Sequence, residues 1–152
     1  MSTSLPPQSF VALAAVAWAD GRMSKDEATG LVHAAKTHGL EGDALADVER
    51  ATRQKVGIEA FDASGLSSWQ RLVTYGLATW LSRLDGVQGG AEIGSLKELS
   101  SKLQSDEVTA FKLQNAASAA FDVAMQPEGR RPERYDFATF ESTLRTRLPT
   151  VK

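Results

Sequence analysis

The sequence predicts an all-α fold of about seven helices. Ala, Leu, Glu, Lys and Gln recur at spacings of three and four, and sustained apolar/polar alternation rich in Val, Ile, Thr and aromatics is missing. Helix caps and Asp-Gly or Gly stops punctuate the chain at helical intervals. With 152 residues of which 42% are hydrophobic, one domain spanning 1–152 is expected, large enough for a single sizeable core.

A first helix is expected over about Pro7 to Ala19, with proline at the entrance, where its missing N–H costs nothing, and Asp20-Gly21 as the stop. Phe10, Leu13, Ala14, Ala17 and Trp18 form its apolar stripe. Ser24 caps a second helix, and Glu27 three residues later completes a capping box; Gly39 closes it. Asp43 to about Lys55 reads as a third helix carrying Leu45, Val48 and Ala51. Val56 to Gly65 holds at most a short turn around Ile58 to Phe61 before Ser67 or Ser68 caps a long helix through Leu84, stopped by Asp85-Gly86. Another runs from about Gly90 to Leu103, and Ser105 with Asp106 opens the next, Glu107 to Met125, carrying Val108, Phe111, Leu113, Ala117, Ala120 and Phe121. Gln126 to Tyr135, with two Pro, one Gly and three Arg, is the clearest loop. Asp136 caps the last helix, which carries Phe137, Phe140, Leu144 and Leu148 and ends at Pro149.

Composition narrows the function. With 17 Lys plus Arg against 19 Asp plus Glu, the net charge of -2 gives no field that would hold a polynucleotide, so nucleic acid is not expected as a partner. The absence of Cys removes disulfides, thiolate metal sites and thiol nucleophiles. The longest apolar run, Phe10 to Trp18, is too short to span a bilayer, and no Lys or Arg precedes it as in a signal peptide. No membrane insertion and a cytoplasmic location are therefore expected.

Sliding the chain by 65 residues superimposes helix, Asp-Gly and helix on a second copy, setting Asp20 on Asp85, Gly21 on Gly86, Glu27 on Glu92 and Leu31 on Leu96. The halves run over about 7–55 and 67–125, and the loop and helix of 126–150 follow; the loop, Gln126 to Tyr135, is the part that the two-fold core does not need. Each Asp lies where a helix stops, facing the negative end of its dipole at a cost of about 0.3 to 1 kcal/mol, so something should compensate. Two compensators fit: an Asx-turn to loop N–H groups, or a cation. Asp-Gly-x5-Glu is also the second half of an EF-hand loop, but a full one is excluded because Val16, Trp18, Leu81 and Arg83 occupy its first ligand positions. Two half-loops facing each other would offer four carboxylates. Glu27 is equally explained by the box with Ser24, whereas Gly89 stands where Glu92 would need its capping partner.

The stretch Phe10 to Glu27, an Ala-rich helix running into Ala-Asp-Gly, a polar gap, a Ser cap and Glu, resembles the signature of the TerB-like tellurite-resistance family, and Leu77 to Glu92 looks like its second half. The family is also similar to the N-terminal domain of membrane-anchored J-domain co-chaperones. The likeness covers about Phe10 to Phe121 and implies a helical domain of two pseudo-symmetric halves. It implies a divalent-metal site (Ca2+, Mg2+ or Mn2+) at Asp20, Glu27, Asp85 and Glu92, with Asp26 as an additional ligand or supporting group. It further implies protein partners in stress-response or membrane-associated complexes, at the periphery of the inner membrane. The second loop departs from the family pattern, with Gly89-Gly90-Ala91 in place of a polar cap.

No nucleophile elbow, phosphate loop or dinucleotide fingerprint occurs, and no enzyme is expected. His33 and His38, five apart, miss the spacing of a helical metal pair and are expected to be solvated or interfacial. Trp18, Trp69 and Trp80 are expected in the core or a groove. Arg130, Arg131 and Arg134 form a small basic loop suited to an acidic protein partner or a lipid headgroup, or simply solvated. Read without the resemblance, the chain fits a metal-independent helical interaction module whose acids are caps.

Overall fold

A computed structural model of the chain describes residues 3–84, 90–126 and 131–152. Among them lie seven α-helices and no strand: α1 (Pro7–Ala17), α2 (Lys25–Thr37), α3 (Gly42–Ala51), α4 (Ser68–Ser82), α5 (Gly90–Leu103), α6 (Ala110–Ala124) and α7 (Phe137–Arg147). Single 3-10 turns follow α1 at Trp18–Asp20 and precede α4 at Ile58–Ala60. No described helix is long and apolar enough to cross a membrane.

Local chemistry sets most of these bounds. Ser24 and Ser67 each complete a reciprocal capping box, with Glu27 and Gln70 respectively, satisfying two orphan N–H groups at the start of α2 and of α4. Asp136 caps α7 by accepting from the Thr139 N–H at 2.9 Å, and the Thr139 hydroxyl and N–H together hold its carboxyl below the usual carboxylate range. Three boundaries differ from the sequence reading. The first helix tightens into a 3-10 turn at Trp18, and α3 stops at Ala51 rather than near Lys55. Ser105 accepts from Val108 N–H in a turn of its own, and α6 begins later, capped by Thr109.

α6 packs by one face. Its packed face is Leu113, Ala116, Ala119, Ala120 and Val123, which leaves Phe111 at 74% exposure, with Phe121 and Met125 also exposed. Arg83 sits 4.7 Å over the Phe121 ring. Phe111 and Phe121 therefore face outward rather than into the core.

The centre is built from α1 and α4. α4 is buried at Trp69 and continuously from Leu72 to Ser82, as expected of a helix surrounded by others. The contacts of the two central helices correspond: α1 contacts α2, α3 and α5, while α4 contacts α5, α6 and α2, although α2 packs on α3 and no like packing joins α5 to α6 among the described residues. On the axis, Thr74 donates to Ser9 at 2.9 Å across a separation of 65 residues; residues related by a two-fold can touch each other only where the axis passes.

The C-terminal helix joins this core. α7 packs on α6, and Phe137, Phe140 and Leu144 join the core cluster. Phe140 comes so close to α4 that a Cβ on Gly76 would lie 2.3 Å from its Cζ. Tyr135 is buried too, donating to Ala120 O at 2.7 Å and stacking on Trp80 at 4.4 Å; burial and the neighbouring Asp136 raise its phenol well above the ordinary range. The amphipathic stripe on α7 needs a partner surface, and α4, α6 and the end of α2 supply it.

Candidate acidic site

The segment after α1 turns sharply. Gly21 has φ 94°, a left-handed conformation that L side chains rarely adopt, and Asp20 Oδ1 accepts the Arg22 N–H at 3.1 Å in an Asx-turn. Asp20 is exposed, and its second oxygen accepts no hydrogen bond among the described residues. One of the two expected compensators of its charge is thus present within the turn itself.

Glu27 lies one turn into α2. Oε1 accepts the Ser24 N–H at 3.0 Å while Ser24 Oγ accepts the Glu27 N–H at 3.0 Å. A capping glutamate usually lies on the surface; this one is 2% exposed, and Glu92 at the related position on α5 is likewise 2% exposed. Burying a carboxylate costs several kcal/mol unless charge or hydrogen bonds answer it. Both copies bear this burial. Asp26 is exposed beside Glu27. Asp85 and Arg130 lie outside the described residues, while Arg131 and Arg134 are exposed.

The halves cross. The Trp18–Asp20 turn packs against α5, the helix of Glu92. In return α2, the helix of Glu27, packs on the end of α4 that leads toward Asp85: a Cβ on Gly30 would meet Leu84 and Leu81 Cδ1 at 2.8 and 3.0 Å. Each buried glutamate therefore sits on the helix that packs against the opposite half's Asp-Gly approach. Position 18 and its counterpart 83 add to the match. The Trp18 indole donates to Ala51 O at the end of α3 at 2.7 Å, and Arg83 reaches α6 at Phe121.

Among the described residues no group of three or more His, Asp or Glu is arranged to hold a metal ion; the four-carboxylate set includes Asp85, which is not among them. One histidine departs from expectation. His38 is 1% exposed, in the core rather than solvated, and burial pushes its imidazole below the ordinary range against the Thr3 carbonyl and Glu141. His33 is partly buried beside Phe137, at 4.9 Å between ring centroids, and burial lowers it too. Trp80 is in the core and Trp18 on its edge, as expected.

A second polar cluster escaped the sequence reading. Glu141, buried on α7, accepts the Thr3 N–H at 2.9 Å, with His38 Nδ1 at 3.9 Å and Trp69 nearby. One signal was available: Glu141 falls four residues after Phe137 and three before Leu144, on the apolar stripe of its helix.

Compared with protein families, with curated proteins and with solved structures, the chain matches none.

Proposed function

We propose that this protein is a non-enzymatic helical binding domain whose crossed acidic pairs, Asp20 with Glu92 and Asp85 with Glu27, hold a divalent cation, and which acts as a regulatory or scaffold protein through its surface. The observation that carries the reading is the equal, nearly complete burial of Glu27 and Glu92 at positions 65 apart, Glu92 on the helix packed against the Asp20 turn and Glu27 on the helix packed against the end of α4 that precedes Asp85. A cation is one group that answers buried carboxylates, and Asp20, in the turn packed on α5, is exposed and keeps one carboxylate oxygen outside its Asx-turn. The resemblance to TerB-like proteins supports the same residues and implies a stress-response setting with protein partners.

A second reading has its own support: the Ser24–Glu27 box and the Asp20–Arg22 turn already give both acids of the first half a structural role. Here the domain is a metal-independent interaction module. Melting curves during titration with Ca2+, Mg2+ and Mn2+ separate the two. A cation that binds only the folded state adds about 2.7 kcal/mol at 100 times its Kd, which at roughly 2–4 °C per kcal/mol raises Tm by about 5–10 °C. The gain should disappear in Asp20→Ala and in Glu92→Gln. A Tm that stays put at millimolar concentrations of all three ions would leave the interaction module standing.

A further inference from the structure

Residues Thr3 to Pro6 have no helix or strand to satisfy their backbone, yet most of their polar groups are held. Glu141 accepts the Thr3 N–H with both carboxylate oxygens, at 2.9 and 3.0 Å, and also the Thr3 hydroxyl hydrogen. The Trp69 indole donates to Thr3 Oγ1 at 2.7 Å. His38 Nδ1 lies 2.7 Å from Thr3 O; a carbonyl only accepts, so Nδ1 carries the proton. Gln70 Nε2 donates to Ser4 O at 3.1 Å, and Leu5 N–H donates to His38 O at 3.1 Å. The Leu5 side chain is buried in the core.

These holding groups come from three separate elements: the end of α2, the start of α4 and the middle of α7. They read an extended segment as a receptor reads a peptide, with donors and acceptors for the main chain, a hydroxyl pocket and, two residues on, an apolar socket for Leu. An open pocket of about 310 Å3 lies beside Thr3, lined by Trp69, Ala138, Glu141, Ser142 and Arg145, and the Arg145 guanidinium lies 3.7 Å over the Trp69 ring as its wall.

We propose that the groove between α2, α4 and α7 is a binding site for an extended peptide of the form hydroxyl residue, any residue, Leu, Pro, and that the protein's own Thr3-Ser4-Leu5-Pro6 occupies it as an intramolecular competitor. The partner is a protein segment able to offer a backbone N–H and hydroxyl to Glu141 and a leucine to the core socket, with its further residues entering the open cavity. The tethered copy competes at an effective concentration in the millimolar range, so the intact chain binds such a segment weakly until its own is displaced.

The test uses the full chain and a fluorescent, acetylated peptide with the sequence of residues 3–9. In a Thr3→Ala, Leu5→Ser host, whose own segment has lost its hydroxyl and its apolar anchor, the peptide should bind about tenfold more tightly than to the parent, because the competitor has been weakened. Adding Glu141→Gln to that host should remove the binding, and a peptide carrying the same Ala and Ser changes should not bind. Equal affinity for host and parent, or no binding to a folded host at millimolar peptide, overturns the proposal and leaves the segment a purely structural strap. Should circular dichroism show that host unfolded, Thr3→Ala with Ser4→Cys replaces it; the chain has no native cysteine, so a bimane placed there is unique and is quenched by Trp69. Saturable recovery of its fluorescence on adding the peptide supports the proposal, and no recovery overturns it.

Discussion

Gly76→Ala asks how firmly the C-terminal helix is seated. A methyl at this position would lie 2.3 Å from Phe140 Cζ, 2.8 Å from Cε1 and 3.1 Å from the Ala116 carbonyl oxygen. Carbon atoms in contact rest at about 3.5 Å or more, so the ring tip must retreat by roughly 1.2 Å. Phe140 is fully buried in the core cluster and has no solvent to retreat into. Forcing such a shift in a packed core costs about 1–3 kcal/mol. Working the other way, alanine is favoured over glycine inside a helix by about 1 kcal/mol. Because the first contact is more than an ångström too short, the packing term should be near its upper end and win, leaving a net loss of about 1–2 kcal/mol. For a chain of this length that lowers Tm by roughly 3–7 °C. Thermal melts of Gly76→Ala, Phe140→Leu and the double variant complete the test, since a smaller residue at 140 makes room for the methyl. In the Phe140→Leu background Gly76→Ala should be neutral or mildly stabilising, a coupling of about 1 kcal/mol or more. A single Gly76→Ala variant that melts higher than the parent would mean that helix propensity prevails and that α7 does not rest on α4 at this point.

Two other outcomes follow from the structure. His38 and His33 both titrate below the ordinary histidine value of 6.5 in the folded state because burial disfavours their charge; the unfolded chain then binds more protons, and stability present above pH 6.5 is lost as pH falls toward the folded values. Tm should therefore decline from pH 7.5 to 5.5, less steeply in His38→Gln, and an identical slope in parent and variant would refute the assignment. Ser67→Ala removes one side of the capping box at the start of the central helix, at a cost of about 1 kcal/mol; a melting point unchanged from the parent would show that the cap carries no stability.

Residues that act on their immediate neighbours are legible in the amino-acid sequence. Ser24, Ser67 and Asp136 bond to N–H groups three residues away, and Gly90 to Leu103 forms a helix with the bounds that its apolar spacing predicts. The repeat can be read too, because Asp-Gly and Glu lie in sequence order at a fixed separation. Its spatial meaning cannot. That the Asp20 turn packs on α5 rather than only beside its own α2, that Ser9 and Thr74 meet on an axis, and that two capping-type glutamates are buried are matters of how helices cross, which periodicity does not encode. Phe111 and Phe121 face outward because α6 packs on its neighbours by Leu113, Ala116, Ala120 and Val123, a choice of face that the apolar residues of the segment alone do not decide. The cluster around Glu141 joins Thr3, His38, Trp69 and Glu141, residues up to 138 apart in sequence. Composition and period report the chain's local preferences; the burial of a charge depends on which distant groups arrive to answer it, and only the packed structure decides that.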